Sequence, residues 1–328
     1  MQFNGKQPLG VVYNTSMNRP DAALALAMLY GFTGKREARI GSVCVNGSGL
    51  GAAIFCDLVA HFYTPGPPRN ANQVLPTGLA LENPLPADPP MVLAAVDRKN
   101  DKGQPQYPRS FSKVSDTALA EAVIRNGVIY NAEAVVVLSA PATYLAKTLD
   151  LQGTKDIYKQ RVKRLVIVDS GAPQDVAAMN RVLAEWPTPI YFCGKDVGPA
   201  VAYPSASVEK DFAWAPANPV VDAYKAFQAM PYNAPAWDLA ALLYAVHPDQ
   251  DLFAADAGTI RISANGAMSF AAGAGSHKAL RVDADKREKI VQSFVDLVSA
   301  KPAAPQQRLR PPQADVKAAP KAAETKTP

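Results

Sequence analysis

Short apolar segments alternate with longer segments of helical periodicity along the first 200 residues. A parallel sheet that is covered by helices on both faces produces this alternation, because its strands are apolar along most of their length. We therefore predict strands at residues 9–13, 40–45, 91–95, 134–138, 164–168 and 190–193, and helices at residues 21–30, 52–62, 117–125, 143–149 and 176–185. Together they predict an α/β fold, an open and mostly parallel sheet flanked by helices.

The rest of the chain adds three helices and a hairpin. Helices are predicted at residues 220–228, 237–246 and 286–300, and TIRI, SANG and AMSF in succession predict two short strands joined by a turn. Residues 64–115 interrupt the alternation with PGPP and PLPADPP. We expect them to be an insertion that covers a pocket or forms a subunit contact. Residues 301–328 are rich in Pro, Ala and Lys and are predicted to be a disordered tail, which leaves one domain over residues 1–300.

The net charge of +5 is concentrated in that tail. The tail holds six Lys/Arg and two Asp/Glu, so residues 1–300 hold 28 basic against 27 acidic residues. The tail could touch phosphates or serve as a solubilising extension, but it has no aromatic residue to stack on bases, so nucleic-acid binding is not expected.

Neither a membrane-spanning segment nor a leader is visible in the sequence. We expect no membrane association and a cytoplasmic protein by default, or a periplasmic or secreted one if a leader was removed. Cys44, Cys56 and Cys193 have neither metal-ligand spacing nor an even count, so core packing is their expected role.

Polar side chains gather where the predicted strands end. Asn14, Ser16, Asn18 and Asp21 follow the first strand within one turn, and Ser139 follows the strand at residues 134–138. In open α/β sheets, ligands bind at the carboxyl ends of the strands, so this edge is predicted to bind a polar ligand. The alternative is that these residues only form turns.

The segment NTSMNRPDAALALAMLYG resembles the opening motif DTDPGxDDALAL of the inosine-uridine-preferring nucleoside hydrolases. VVVLSAPATYLAKTL, RVKRLVIVDSGA, TPIYFCGKDVG and AWDLAALLYAVHPDQDLF resemble later family segments in the same order. YPSASVEKDFAW resembles the secreted bacterial branch in particular. The resemblance covers roughly residues 9–270 and implies the nucleoside hydrolase fold.

The resemblance also implies a reaction and a metal. In the family, calcium holds the ribose hydroxyls and a water. A carboxylate takes a proton from that water as the water attacks the anomeric carbon and the N-glycosyl bond breaks. Matching the motifs position by position makes Asp21 the catalytic carboxylate. It makes Asp238, Ser16 and Ser139 the metal positions, Ser139 through its backbone carbonyl. Asn14, Asn18, Asp175 and Trp237 fall at the expected substrate-binding positions.

Several of these positions depart from the family pattern. Asn14 and Ser16 stand where the first two aspartates belong, Ala22 replaces the second of the paired aspartates, and Trp237 replaces a histidine that is a proposed leaving-group acid. Because calcium affinity depends on the charge of its ligands, we expect no cofactor unless other oxygens restore the calcium site.

The carboxylates also have plainer interpretations. Asp21 and Asp238 each begin a predicted helix, where the helix dipole favours an acidic residue in any protein. Trp237 could belong to the core rather than stack on a base. His61, His247 and His277 match no metal spacing.

Two functions follow as alternatives. The first is a nucleoside hydrolase-like protein that acts on a nucleoside or related ribosyl compound, with N-glycosyl hydrolysis weak or lost. The second is a pseudoenzyme, a non-catalytic homologue that serves in ligand binding or assembly. The resemblance also implies a homo-oligomer. Whether the pocket holds a metal separates the two functions.

Overall fold

The computed structural model describes residues 7–64 and 75–302. Residues 65–74 of the predicted insertion, and the predicted tail from residue 303 onward, lie outside the described residues. The described chain forms a ten-stranded sheet in the order β4-β3-β2-β1-β5-β6-β7-β10-β8-β9. The strands are β1 Leu9–Thr15, β2 Ala38–Val45, β3 Thr77–Leu79, β4 Ala118–Leu119, β5 Ala134–Ser139, β6 Val162–Val168, β7 Ile190–Cys193, β8 Ala254–Ile262, β9 Met268–Ala272 and β10 His277–Arg281.

Neighbouring strands from β4 to β10 in this order are parallel. Strand β8 is antiparallel to both of its neighbours, β10 and β9. The predicted open, mostly parallel sheet is therefore confirmed, and β8 and β9 form the predicted hairpin.

Twelve α-helices of the described chain flank this sheet. They are α1 Pro20–Lys35, α2 Leu50–Tyr63, α3 Pro90–Val96, α4 Ala120–Ile129, α5 Thr143–Thr148, α6 Thr154–Arg161, α7 Val176–Glu185, α8 Val197–Ala200, α9 Ser205–Lys210, α10 Pro219–Phe227, α11 Trp237–Val246 and α12 Arg287–Val298. Within the described ranges, none of the helices is both long and apolar enough to cross a membrane.

One predicted strand is wrong. Residues 91–95 lie within helix α3 rather than in the sheet. A short apolar run fits a buried strand and a buried helix equally well, and Pro90 at the first helical position favours the helix because its fixed φ suits a helix start. The stretch predicted as an insertion also contributes strand β3, which pairs with β2 and β4 inside the sheet.

The two faces of the sheet bury separate apolar clusters. Val11 and Tyr13 of β1 belong to the cluster that includes α1, α11 and α12, whereas Val12 belongs to the cluster on the α4 and α5 side. This alternation follows from the two-residue period of a strand. Helix α1 is buried from Pro20 to Leu29 and α11 from Asp238 to Ala245, so both are interior helices rather than surface ones.

The three cysteines are buried and unpaired, as predicted. Burial raises the pKa of the Cys44 and Cys56 thiols well above their ordinary value. These thiols therefore remain protonated and act as small apolar side chains.

The chain direction across the sheet changes beside β1. Strands β2, β3 and β4 follow one another on one side of β1, and β5, β6 and β7 follow one another on the other side. The helices after β1 and β5 therefore diverge and leave a crevice at the carboxyl ends of these two strands. Such a switch point is where open α/β sheets bind their ligands.

The described part of residues 64–115 is attached to the domain by a buried carboxylate. Asp57 of α2 is 1% exposed, and its Oδ2 accepts the backbone N–H groups of Ser110 and Phe111, the latter at 3.0 Å. Arg98, after α3, donates to Asp222 of α10. Two separate points within the second half of the stretch are therefore tied to flanking helices.

Asp57→Ala is expected to lower the free energy of unfolding by about 1–2 kcal/mol, because it leaves two backbone N–H groups without an acceptor near the core. Asp116→Ala is the matched control, since the Asp116 carboxylate also accepts two backbone N–H groups, from Ser112 and Lys113, but at the surface. Urea denaturation measures both variants. Equal losses would contradict a specific role for the buried carboxylate.

Candidate functional site

One arginine lies at the centre of the predicted site. The Arg19 Nε donates to Asp21 Oδ1 at 3.1 Å, and Nη2 donates to Asp238 Oδ1 at 2.7 Å and to Ser139 Oγ at 3.0 Å. Nη1 donates to Ser170 Oγ at 2.8 Å. Four of the five N–H donors of the guanidinium are used in this way. We call Tyr13, Arg19, Asp21, Ser139, Ser170 and Asp238 the Arg19 cluster.

The turn between β1 and α1 brings Arg19 to this position. Met17 is buried in a left-handed conformation with φ of 51°, and its backbone N–H donates to Thr15 Oγ1 at 3.0 Å. Left-handed φ is uncommon for a residue other than glycine, so the turn is tightly constrained. Arg19 is the N-cap of α1, and Pro20 begins the helix.

Every oxygen of the two carboxylates in the cluster accepts a hydrogen bond from the chain itself. Besides its bond with Arg19, Asp21 accepts the backbone N–H of Asp238 on Oδ2 at 2.9 Å. Asp238 Oδ1 accepts from Ser139 Oγ at 2.5 Å as well as from Arg19, and Oδ2 accepts from the Tyr13 hydroxyl. Both carboxylates are 0% exposed. Each is also the second residue of a helix, as in the plainer interpretation of the sequence.

Burial and charge act against each other in this cluster. Burial raises the pKa of Asp21 to about 6, although Arg19 opposes the shift. Burial alone would lower the pKa of Arg19, but Asp21 and Asp238 outweigh it and raise that pKa, so the guanidinium stays charged. Burial, and then Asp238, raise the pKa of Tyr13 far enough that its hydroxyl remains a donor.

Trp237 forms one wall of the cluster. Its ring centroid lies 5.6 Å from Arg19 Cζ, a cation–π distance, and its Nε1 donates to the Lys195 carbonyl at 2.9 Å. The ring also lies against Gly198, where a Cβ would come within 2.4 Å of it. Trp237, which was predicted to bind substrate, therefore lies beside Arg19.

The remaining predicted residues lie around the cluster. Ser16 and Asn18 line the same cleft as Arg19. Asn14 is buried, and its amide donates to the Val137 carbonyl at 3.4 Å. Asp175 caps α7, where it accepts from the Ala178 backbone N–H at 3.1 Å and from Thr143 Oγ1 at 3.0 Å. Their substrate and metal roles remain predictions.

The cleft beside the cluster is small. Its volume is about 100 Å³, and Ser16, Asn18, Arg19, Ser139, Ser170 and Gln174 are among the residues that line it. Pockets for small organic ligands usually measure roughly 300–1,000 Å³, so this cleft encloses only part of a ligand the size of a nucleoside. A larger cavity of about 470 Å³ lies around Leu9 and Lys163, at the opposite ends of the strands, and has no part in this site.

These residues do not fit a calcium ion. Calcium takes six to eight oxygen ligands, mostly carboxylates and carbonyls with free lone pairs. Here the carboxylate oxygens of Asp21 and Asp238 already accept N–H and O–H groups, and a guanidinium lies between them. Residues 7–64 and 75–302 contain no group of three or more His, Cys, Asp or Glu that could hold a metal.

Three members of the cluster, Tyr13, Arg19 and Ser170, were not predicted from the sequence. Arg19 left a readable signal, because a basic residue stands inside the segment in which the family gathers acidic ligands. Tyr13 left none, since its partner Asp238 lies 225 residues away in the sequence.

A second polar contact, on α2, has the residue types of a hydrolase triad without its geometry. His61 Nε2 lies 2.7 Å from Ser110 Oγ and 3.5 Å from Asp57 Oδ1. A triad needs the serine and the carboxylate at opposite ring nitrogens, whereas here both face the same one. The contact therefore attaches residue 110 to α2.

Comparison with known proteins gives the fold. Neither a protein-family model nor a curated protein matches the sequence. Among solved structures, the inosine-uridine-preferring nucleoside hydrolase of Bacillus anthracis is similar, with a TM-score of 0.62, 13% identity and coverage of 88% of this chain and 99% of that chain.

Two further structures are similar over comparable lengths. The purine-preferring ribonucleoside hydrolase of Gardnerella vaginalis has a TM-score of 0.63 and 15% identity over 88% of this chain and 98% of its own. The type III effector protein XopQ, complexed with adenosine diphosphate ribose, has a TM-score of 0.61 and 12% identity over 90% of this chain and 94% of its own. At these identities the likeness concerns architecture alone. The chain therefore has the nucleoside hydrolase-like α/β fold.

Proposed function

We propose that this chain is a nucleoside hydrolase-like protein in which cleavage of N-glycosyl bonds is weak or lost. One observation carries the proposal. All four carboxylate oxygens of Asp21 and Asp238 accept hydrogen bonds from the chain itself, and the nearest cation is the Arg19 side chain.

The state of Asp21 argues against an attacking water. A general base must lie within hydrogen-bond reach of the water whose proton it takes. Asp21 is completely buried and each of its oxygens already accepts a hydrogen bond from the chain, so a water can reach it only if the surrounding side chains move. A pKa raised to about 6 suits a base near neutral pH, but access decides the outcome.

Activation of the water and of the leaving group is also weakened. A metal lowers the pKa of a water by coordinating its oxygen directly, whereas a guanidinium acts on a water only through its charge and its hydrogen bonds. Trp237 stands at the position of the family histidine, and its indole N–H donates to the Lys195 carbonyl. An indole N–H does not transfer its proton to a departing base.

The ligand class that suits the cleft is a small polar compound of the ribosyl type. Ser16, Ser139, Ser170 and Arg19 line it, and hydroxyl and guanidinium groups are able to hydrogen-bond to sugar hydroxyls. The XopQ structure holds adenosine diphosphate ribose on a similar fold. The small volume of the cleft predicts weak binding.

A base-release assay tests the proposal. Wild type, Asp21→Asn and Asp101→Asn, an exposed carboxylate variant, are incubated with inosine and uridine, in calcium or in chelator. We expect release that is absent or slow, and equal in all three proteins, with calcium or with chelator. A folded wild type and Asp101→Asn that release base while Asp21→Asn does not would overturn the proposal, whether or not the release needs calcium.

A further inference from the structure

The Arg19 guanidinium contacts Ser139 and Asp238, two of the residues predicted from the sequence as metal positions. Its nitrogens contact oxygens from four separate elements, which are Asp21 on α1, Asp238 on α11, Ser139 at the end of β5, and Ser170 two residues after β6. The side chain is only 17% exposed. A single positive group thus joins the strand ends at the switch point of the sheet.

We infer that Arg19 is the built-in cation of this site and takes the place of a metal ion there. Two completely buried carboxylates, linked through the Asp238 backbone N–H, repel each other and need a positive charge nearby. Arg19 supplies that charge from within the chain, so the carboxylates are held together without a bound ion.

The geometry suits a guanidinium better than a point charge. Its planar set of donors reaches both carboxylates and both serine hydroxyls at once, and the Trp237 ring lies near it. Truncation to alanine leaves two buried carboxyl groups without their cation, beside an opening lined by the Ser139 and Ser170 hydroxyls. A soluble cation of suitable size is expected to enter that opening.

The inference rests on the proposed function only for the place where a metal would bind. Its readout is thermal stability rather than turnover, so the two can fail separately. Asp21-dependent base release by the wild type would overturn the proposed function and leave this inference in place. An Arg19→Ala protein whose melting temperature does not respond to cations would overturn this inference and leave the proposed function in place.

The test compares the melting temperatures of wild type, Arg19→Ala and Arg281→Ala in sodium chloride, calcium chloride or methylguanidinium chloride at matched ionic strength, with the added cation at about 10 mM. Arg281 is the matched control because it also pairs with two aspartates, Asp256 and Asp283, but is 54% exposed. We expect Arg19→Ala to melt roughly 6–15 °C below wild type and to regain several degrees with methylguanidinium or calcium. Wild type and Arg281→Ala should not respond.

Two results would overturn the inference. One is a wild type that calcium stabilises and chelator destabilises, because the site would then hold a metal alongside Arg19. The other is a destabilised Arg19→Ala that neither cation restores. If Arg19→Ala does not fold, Arg19→Lys decides. Arg19→Lys retains a positive charge, so it should fold, melt below wild type and show no change of melting temperature with calcium. If it does not fold, a positive charge alone does not hold the site together and the inference is wrong.

Discussion

Arg19→Met is expected to lower the free energy of unfolding by about 3–5 kcal/mol, the usual cost of leaving a buried charge without its partner. Methionine approximates the length of the arginine stem, so the loss reports the charge and its hydrogen bonds more than a cavity. Asp21 and Asp238 would then remain buried together without a cation. Urea denaturation at neutral pH measures the loss, and Arg281→Met serves as the exposed control with an expected loss of about 0–1 kcal/mol.

The double variant Arg19→Met/Asp238→Asn is expected to be more stable than Arg19→Met alone. Removing the second charge relieves the repulsion that the first substitution exposes, so the two effects should not add. An additive or larger loss would contradict the account in which charge balance holds the cluster together. It would indicate that packing of the arginine stem is what matters.

Elements with a clear apolar pattern could be predicted closely from the sequence. The structure places α7, α11 and β7 at the predicted residues, because each is bounded by polar or turn-forming residues and contributes an apolar face to the core. The strand prediction for residues 91–95 was wrong because five consecutive apolar residues do not distinguish the helical period from the strand period. Strand β3 was missed because three residues are too few to show a strand period.

The candidate site could be predicted in position but not in chemistry. Asp21, Ser139 and Asp238 meet because the carboxyl ends of parallel strands share one edge and α11 begins there. The direction of the Arg19 side chain decides whether those carboxylates face a metal or a guanidinium. That direction depends on partners as far as 219 residues away in the sequence, which local patterns do not encode. A fold shared with hydrolases therefore leaves the activity open until the contacts at the strand ends are known.

The stability of this protein is expected to depend on pH through Asp21. Burial raises the pKa of Asp21 in the folded state to about 6, above its ordinary value of 3.8. Between these two values the folded state binds more protons than the unfolded state, so the free energy of unfolding falls as the pH rises. The contribution of Asp21 should be about 2 kcal/mol larger at pH ~4.5 than at pH ~7.5. Chemical denaturation at both pH values measures it.

Comparing wild type with Asp21→Asn isolates this contribution from the other titrating groups. The asparagine cannot take up the proton. The free energy of unfolding of wild type minus that of Asp21→Asn should therefore become about 2 kcal/mol more positive between pH ~7.5 and pH ~4.5. For Asp101→Asn, at an exposed position, the corresponding difference should not change with pH in this way. If the difference for Asp21→Asn instead becomes more negative as the pH falls, Arg19 stabilises the ionised form of Asp21 by more than burial disfavours it. The cluster would then be stabilised mainly by the ion pair and lost on protonation.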